Sequence, residues 1–322
     1  MTDWLRPPDR PSSDHLQPHY NLLTSPEPAR KRSTSSRRHA AVGGPEAVEV
    51  AHRYYVPSAF YAEVMWPKML GSRLQSPGRY LYSDIGMYML KEIVERVTGQ
   101  RLDAYVEAQF YLPLGARSAG FLPRQRFPQA RIVPSENDTF FRHQLLCGHV
   151  HDPGAALAGG VAGHAGLFAS AYDLAIIGQM LLNGGHYGGQ WHLHPDTVAA
   201  FSARQGEASR RGLGFDRSDS ALDGGYPSRL ASPDVFGHTG FTGTALWVDP
   251  RQRLVFVFLS NRLLSPTPRA FLRQNVRPRV LDALYEALAA PHQLHPDAPR
   301  VSLPGDHGLG QPLGPVLEAV EH

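Results

Sequence analysis

Cysteine is almost absent from this chain of 322 residues: Cys147 is the single one, so no internal disulfide can form. Long apolar runs are missing as well, and no stretch reaches the roughly 18 residues that a transmembrane helix needs. The first residues, MTDWLRPPDRPSS, contain no apolar segment of the kind that a secretory signal requires. We therefore predict no transmembrane segment and no signal peptide in this chain, and the cellular location stays open.

Lysine is also scarce. The chain carries only Lys31, Lys68 and Lys91, its other basic side chains are arginines, and its net charge is +3. The basic segment 29–38, ARKRSTSSRR, could contact nucleic acid or acidic lipid, but its Pro- and Ser-rich surroundings lack interleaved aromatic residues. We interpret this segment as a solvated tail and expect no nucleic-acid partner.

The middle of the chain shows the apolar spacing and capping residues of helices, whereas the two ends lack them. Residues 1–51 are rich in Pro, Ser and Arg, which predicts a disordered or non-domain segment, with ordered structure starting near His52. Residues 291–322 predict a flexible tail. Apolar spacing or capping residues predict helices in five segments: 80–100, 102–110, 170–182, 194–201 and 277–290.

The last third of the chain changes to strand patterns. Two apolar runs, 244–248 and 254–260, are joined by the turn sequence DPRQ and predict a hairpin of buried strands. The segment VFGHTGF, 235–241, predicts a third antiparallel strand before them. Residues 120–168, rich in Gly, Pro and His, predict a long irregular connection.

That connection raises the possibility of a metal site. Its metal-compatible residues are Cys147, His149, His151, Asp152 and His164. The spacing C-x-H-x-H fits no common zinc pattern, and alternate residues of an extended chain point to opposite faces. We therefore expect no metal ion here.

Two short motifs carry the chemical information: Tyr82-Ser83-Asp84 at a predicted helix start and His238-Thr239-Gly240 at a predicted strand. Alone, each is weak, because Tyr82 could be a packing residue and His238 an ordinary histidine of a sheet. Their order and their flanking segments, among them RGLGFD and FGHTGFTGTALWVDP, resemble the β-lactamase-related serine hydrolases. That family includes class C β-lactamases, penicillin-binding proteins, D-amino-peptidases and esterases. The resemblance spans roughly residues 52–290.

The resemblance implies an α+β fold in which helices flank an antiparallel sheet. A helical, loop-rich part, 52–205, would carry Tyr82, and a part with the sheet and C-terminal helix, 206–290, would carry His238. It implies hydrolysis of an amide or ester through an acyl-serine, without a cofactor. The substrate would be a small molecule or a peptide of cell-wall type. Because a neutral imidazole anchors a carboxylate less well than an ammonium, His238 favours a peptidase or esterase over a β-lactamase.

The resemblance also implies roles for single residues. Tyr82 would be the general base, His238 would replace a cationic lysine, and the backbone N–H of Phe241 would be an oxyanion donor. The further substrate-binding positions would be Asp84, Thr239 and Gly240. A free phenol has a pKa of about 10, and one cation at about 4 Å lowers it by about three units at most. The family's lysine must therefore lie close to its tyrosine.

The nucleophile motif of that family, Ser-x-x-Lys, is absent. The positions three before the lysines hold Pro28, Met65 and Tyr88, and no Gly-x-Ser-x-Gly elbow exists. We therefore expect that N-terminal strands and the nucleophile helix are missing and that the chain alone is inactive. Three explanations stay open: a truncated or frameshifted copy, a non-catalytic remnant that binds cell-wall-type peptides, or a second chain that supplies the nucleophile half.

Overall fold

A computed structural model describes residues 46–73, 80–207, 209–219 and 225–289. The predicted C-terminal tail and most of the predicted N-terminal segment lie outside these residues. Helices and antiparallel sheets alternate along the described chain, so the predicted α+β class is confirmed. No helix among the described residues has the length and apolar character to cross a bilayer.

The described residues form ten strands. They are β1 Ala47–Ala51, β2 Tyr54–Pro57, β3 Pro134–Asp138, β4 Gln144–Cys147, β5 His186–Tyr187, β6 Gln190–Trp191, β7 Asp216–Arg217, β8 Phe236–Thr239, β9 Ala245–Asp249 and β10 Leu254–Phe258. Strands β1 and β2, β3 and β4, and β5 and β6 form separate antiparallel pairs. The other four make one sheet.

The described α-helices are α1 Trp66–Leu70, α2 Ile85–Thr98, α3 Leu102–Val106, α4 Leu112–Leu114, α5 Pro153–Leu157, α6 Ala171–Leu182, α7 Pro195–Ser202, α8 Pro268–Arg273 and α9 Val276–Ala289. A wide helical turn, Glu107–Tyr111, joins α3 to α4. Helix α6 begins as predicted, because the Ser170 hydroxyl accepts a hydrogen bond from the Asp173 N–H at 3.2 Å. All five predicted helices are therefore present.

The central sheet has the order β10-β9-β8-β7 and is antiparallel throughout. Val255 pairs with Val248 and His238 with Leu246, which confirms the predicted meander. Strand β7 adds a fourth member that the sequence pattern did not predict, because a strand of two residues shows no periodicity. The outer edge of β10 has no strand partner among the described residues.

Helices cover both faces of this sheet. Helix α6 approaches one face so closely that a Cβ on Gly178 would come within 2.5 Å of a Val255 methyl group. On the other face, Leu281 and Tyr285 of α9 pack against a cluster that includes Trp247. The Tyr285 hydroxyl donates a hydrogen bond to the buried Asp249 carboxylate at 2.7 Å. The core of this half of the molecule lies between β9 and α9.

Helix α2 ends where the sequence predicts, at Gly99, which adopts the left-handed conformation with φ of +67°. The apolar stripe of this helix includes Ile85, Ile93 and Val97. Ile85 packs against a core cluster, but Ile93 is 54% exposed and Val97 81%, so the C-terminal part of the stripe does not face the described core. The helix instead buries Tyr88 and Lys91. Lys91 is satisfied there because its ammonium donates to Glu95 at 2.9 Å and to Glu92 at 3.3 Å.

The connection 120–168 is more regular than predicted. It contains the β3–β4 hairpin and helix α5, and it is stabilised by a buried ion pair, 2.6 Å long, between Arg142 and Asp138. Strand β1 lies N-terminal to His52, where we expected ordered structure to start. The side chain of Asn261 donates to the carbonyls of Pro134 and Ser135 and so ties this region to the end of the sheet.

Candidate active site

Tyr82 lies just before helix α2, and its ring centroid is 6.4 Å from that of His238. The fold thus brings together the two motifs that lie 156 positions apart. Burial, and then the Asp84 carboxylate, raise the pKa of Tyr82 to about 12. Asp84 is close enough to accept a hydrogen bond from the phenol. Tyr82 is therefore a neutral donor at pH 7 in this structure.

His238 has a defined tautomer on strand β8. Its Nδ1 lies 2.7 Å from the carbonyl oxygen of Thr239, which can only accept, so Nδ1 carries the proton. Its Nε2 lies 2.6 Å from Nη1 of Arg211, which can only donate, so Nε2 is unprotonated. Burial lowers the pKa of His238, and the nearby Arg211 lowers it further. The ring is neutral.

Arg211 supplies the positive charge between these two residues. Its guanidinium lies 5.2 Å from the centroid of the Tyr82 ring while it donates to His238. The buried carboxylate of Asp216 forms an ion pair with Arg211, with Oδ1 3.3 Å from Nε. It also accepts two hydrogen bonds from Arg210, at 2.6 and 2.9 Å. Arg210 also lies 3.7 Å from the Asp219 carboxylate, so that Asp216 is shared by two arginines and Arg210 is shared by two carboxylates.

The turn after β8 fixes the backbone around Phe241. The Phe241 ring stacks on the His151 ring at a centroid distance of 5.7 Å, and the Arg262 guanidinium lies 4.5 Å from the Phe241 centroid. Arg262 also donates to the carbonyl oxygen of Phe241 at 2.7 Å. Burial lowers the pKa of His151 to about 4, so this ring is neutral too. A fixed turn is what an oxyanion donor requires.

Thr239 and Gly240 shape the same turn. The side chain of Thr239 faces away from His238 and lies within hydrogen-bonding range of the Tyr226 phenol. Gly240 donates its N–H to the carbonyl of Thr244 at 2.8 Å. A Cβ on Gly240 would come within 2.1 Å of the Thr244 hydroxyl oxygen, so a larger residue here would displace that side chain.

The histidine and cysteine side chains of the connection 120–168 form hydrogen bonds and ring contacts within the protein. His164 donates through Nε2 to the Asp152 carboxylate, 3.1 Å away, and its ring centroid lies 4.5 Å from that of Tyr88. Cys147 contacts the carbonyl oxygen of Ile132 at 3.2 Å. Among the residues that the structure describes, no three His, Cys, Asp or Glu side chains converge as metal ligands would.

Sequence reasoning missed Arg211 and Arg262, and it considered His151 only as a possible metal ligand. Arg211 opens the segment RGLGFD, which carries part of the family resemblance, but nothing in the sequence indicates that its side chain reaches His238 across 27 positions. Arg262 and His151 reach Phe241 from two different loops. Contacts of this kind have no local pattern, and only the fold shows them.

A sequence model of the family described as Beta-lactamase matches residues 38–281, which is more than half of the chain. The chain belongs to the β-lactamase-related serine hydrolase family. The family assignment confirms both the resemblance read from the two motifs and the expected fold class.

Curated relatives of this β-lactamase-family chain agree with the assignment. A Salmonella schwarzengrund protein, provisionally named D-alanyl-D-alanine carboxypeptidase, is 37% identical over 214 residues, which are 63% of this chain and 50% of that protein. A protein of Salmonella paratyphi B with the same name is 36% identical over the same shares. The chain thus spans about half the length of the curated relatives it matches.

Solved structures show a more distant likeness. A β-lactamase from Mycobacterium bovis aligns with a TM-score of 0.47 and 22% identity, over 68% of this chain and 68% of that one. Simvastatin synthase from Aspergillus terreus aligns with a TM-score of 0.49 and 18% identity, over 73% and 62%. The family assignment rests on the sequence matches and needs neither alignment.

Proposed function

We propose that the cleft between Tyr82 and His238 binds the terminal carboxylate of a D-alanyl peptide of cell-wall type. One observation carries the proposal: the Arg211 guanidinium lies between the two motif side chains, 2.6 Å from His238 and 5.2 Å from the Tyr82 ring. Arg211, rather than the neutral His238, provides the charge for the carboxylate, because a guanidinium keeps its proton at any physiological pH. The names of the curated relatives favour this substrate class.

The second part of the proposal is that the chain alone binds without turnover. The pKa of Tyr82 is about 12 although Arg211 is nearby, so abstraction of a proton at pH 7 needs a further cation. The described lysines do not provide one there: Lys91 is engaged by Glu92 and Glu95, and Lys68 is exposed on α1. The exposed Ser83 accepts a hydrogen bond from the Ile85 N–H at 3.3 Å, a helix-start contact.

Calorimetry with diacetyl-L-Lys-D-Ala-D-Ala tests the binding. We expect measurable binding, a loss of about tenfold in Arg211→Gln, and a similar loss when the peptide carboxylate is amidated. Arg273→Gln, an exposed arginine of α8, is the matched control and should bind like the parent. Equal affinity for the acid and the amide would refute a carboxylate site at Arg211.

A fluorophosphonate probe tests the absence of turnover. We expect no labelled serine in the chain alone, because the described serines lack a neighbouring lysine of the Ser-x-x-Lys type. Labelling of Ser83, mapped by peptide mass spectrometry, would show a nucleophile that the sequence motif does not predict.

A second candidate function is that of one half of an active enzyme. The observation in its favour is the outer edge of β10, which lacks a strand partner among the described residues and could pair with a strand of another polypeptide. Coexpression with the part of a curated relative that this chain does not match, followed by labelling with a fluorescent penicillin, tests it. Labelling that requires both chains and Tyr82 would support it, while no labelling of a stable complex would reject it.

A further inference from the structure

A pocket lies on the face of β8 opposite His238, between the sheet and the start of α9. Its volume is about 140 Å³, and its walls include Tyr226, Thr239, Trp247, Phe271, Leu272 and Leu281. A cavity of about 150 Å³ with apolar walls accommodates one benzene ring. The pocket therefore has the size and lining for a single aromatic or branched aliphatic group.

One cation, Arg277, lines the same pocket. Its Nη1 donates to the carbonyl oxygens of Gly240 and Thr244 at 3.1 and 2.9 Å. The guanidinium lies 5.6 Å from the centroid of the Phe271 ring. Its other nitrogens have no hydrogen bond, and no carboxylate pairs with it, within the described part of the chain. A guanidinium has five N–H donors in one plane, and here only those of Nη1 form hydrogen bonds.

Two other arginines of this chain are compensated by carboxylates, whereas the partly buried Arg126, like Arg277, donates to two carbonyl oxygens. Arg142 pairs with Asp138 and Arg210 with Asp216, both at 2.6 Å. Burial lowers the pKa of Arg277, which reflects a charge held away from water without a carboxylate partner among these residues. A partly buried guanidinium of this kind is stabilised most by a carboxylate that accepts two parallel hydrogen bonds from it, a bidentate pair.

We propose that this pocket binds a small organic carboxylate whose aromatic or branched apolar group fills the pocket and whose carboxylate pairs with Arg277. The site lies behind β8, so its ligand differs from the peptide proposed for the Tyr82 cleft. The proposal does not require the chain to hydrolyse anything, and either proposal can fail without the other.

Calorimetric titration with phenylacetate tests this site. We expect phenylacetate to bind the full chain and the neutral isostere phenylacetamide to bind at least about tenfold more weakly. Arg277→Gln should cause a similar loss. Arg279→Gln removes the same charge from an exposed position of α9 and should leave the affinity unchanged.

A second variant separates the pocket from the folding role of Arg277. Val276→Phe places a ring in the pocket and keeps the guanidinium with its two carbonyl contacts. We expect this variant to keep its thermal transition and to lose phenylacetate binding. Absence of phenylacetate binding to the folded parent chain, equal affinity for the amide, or undiminished binding in Val276→Phe would each overturn the proposal.

Discussion

At the scale of single residues, the candidate site depends on the protonation of its members. Tyr82 is a donor because Asp84 and burial favour the phenol, and His238 is an acceptor toward Arg211 because its other nitrogen is committed to the carbonyl of Thr239. The same residue types could have been a base and a cation in another environment. Burial first, and then the positions of Asp84 and Arg211, decide between these states.

Two glycines should respond in opposite ways to the same substitution. An alanine Cβ at Gly86, in helix α2, would meet no heavy atom of the described residues within 4 Å, so Gly86→Ala should stabilise the chain by about 0.5–1 kcal/mol. At Gly237 the Cβ would come within 2.1 Å of the Leu246 carbonyl oxygen, and Gly237→Ala should cost about 1–3 kcal/mol. Urea unfolding measures both, and a destabilised Gly86→Ala would contradict the described surroundings of α2.

At the scale of elements, α2 packs the first part of its apolar stripe against the core and exposes the last part. Ile93 and Val97 are exposed, whereas the buried face contains Tyr88 and the paired Lys91. Exposed apolar stripes of this kind mark interaction surfaces or places that aggregate. The sequence periodicity identified the helix correctly but could not show which face the described core would cover.

Polar substitutions on the stripe should therefore be tolerated. The double variant Ile93→Ser and Val97→Ser should change the free energy of unfolding by no more than about 0.5 kcal/mol, because both side chains are mostly exposed. Leu281→Ala, which opens a cavity at a residue that is 1% exposed, should cost about 2–5 kcal/mol. Urea unfolding compares them. A loss of 2 kcal/mol or more in the double variant would show that a part of the chain outside the described residues covers the stripe.

At the scale of the whole molecule, the free energy of unfolding should depend on the ionisation of Glu136. The charges of Asp138, Arg142, Asp152 and Arg262 act on this carboxyl. Burial, followed by the charge of Asp138, raises the pKa of Glu136 to about 7. A carboxyl whose pKa is higher in the folded than in the unfolded state holds its proton longer when folded. Its stabilising contribution is complete below about pH 4.5 and is lost as the pH rises to about 7.

Removal of that titration should flatten the pH dependence. We expect Glu136→Gln to raise the thermal transition at pH 8 relative to the parent and to leave it nearly unchanged at pH 4.5, because the amide cannot ionise. Glu63→Gln, at an exposed position, is the control and should not change the profile. Thermal melts between pH 4.5 and 8 provide the measurement. A lower transition at pH 8 in Glu136→Gln would mean that the ionised carboxylate is stabilising.

The sequence by itself determined the family, the α+β class, the helices and the order of the three long strands, because these depend on local periodicity, capping residues and two motifs. It also determined that no Ser-x-x-Lys is present. The tertiary structure decided which charges surround the motifs. It placed Arg211 beside His238, Arg262 and His151 around Phe241, and Arg277 behind Thr239. Contacts between residues far apart in the chain depend on how elements pack, and a linear pattern of residue types does not contain that information.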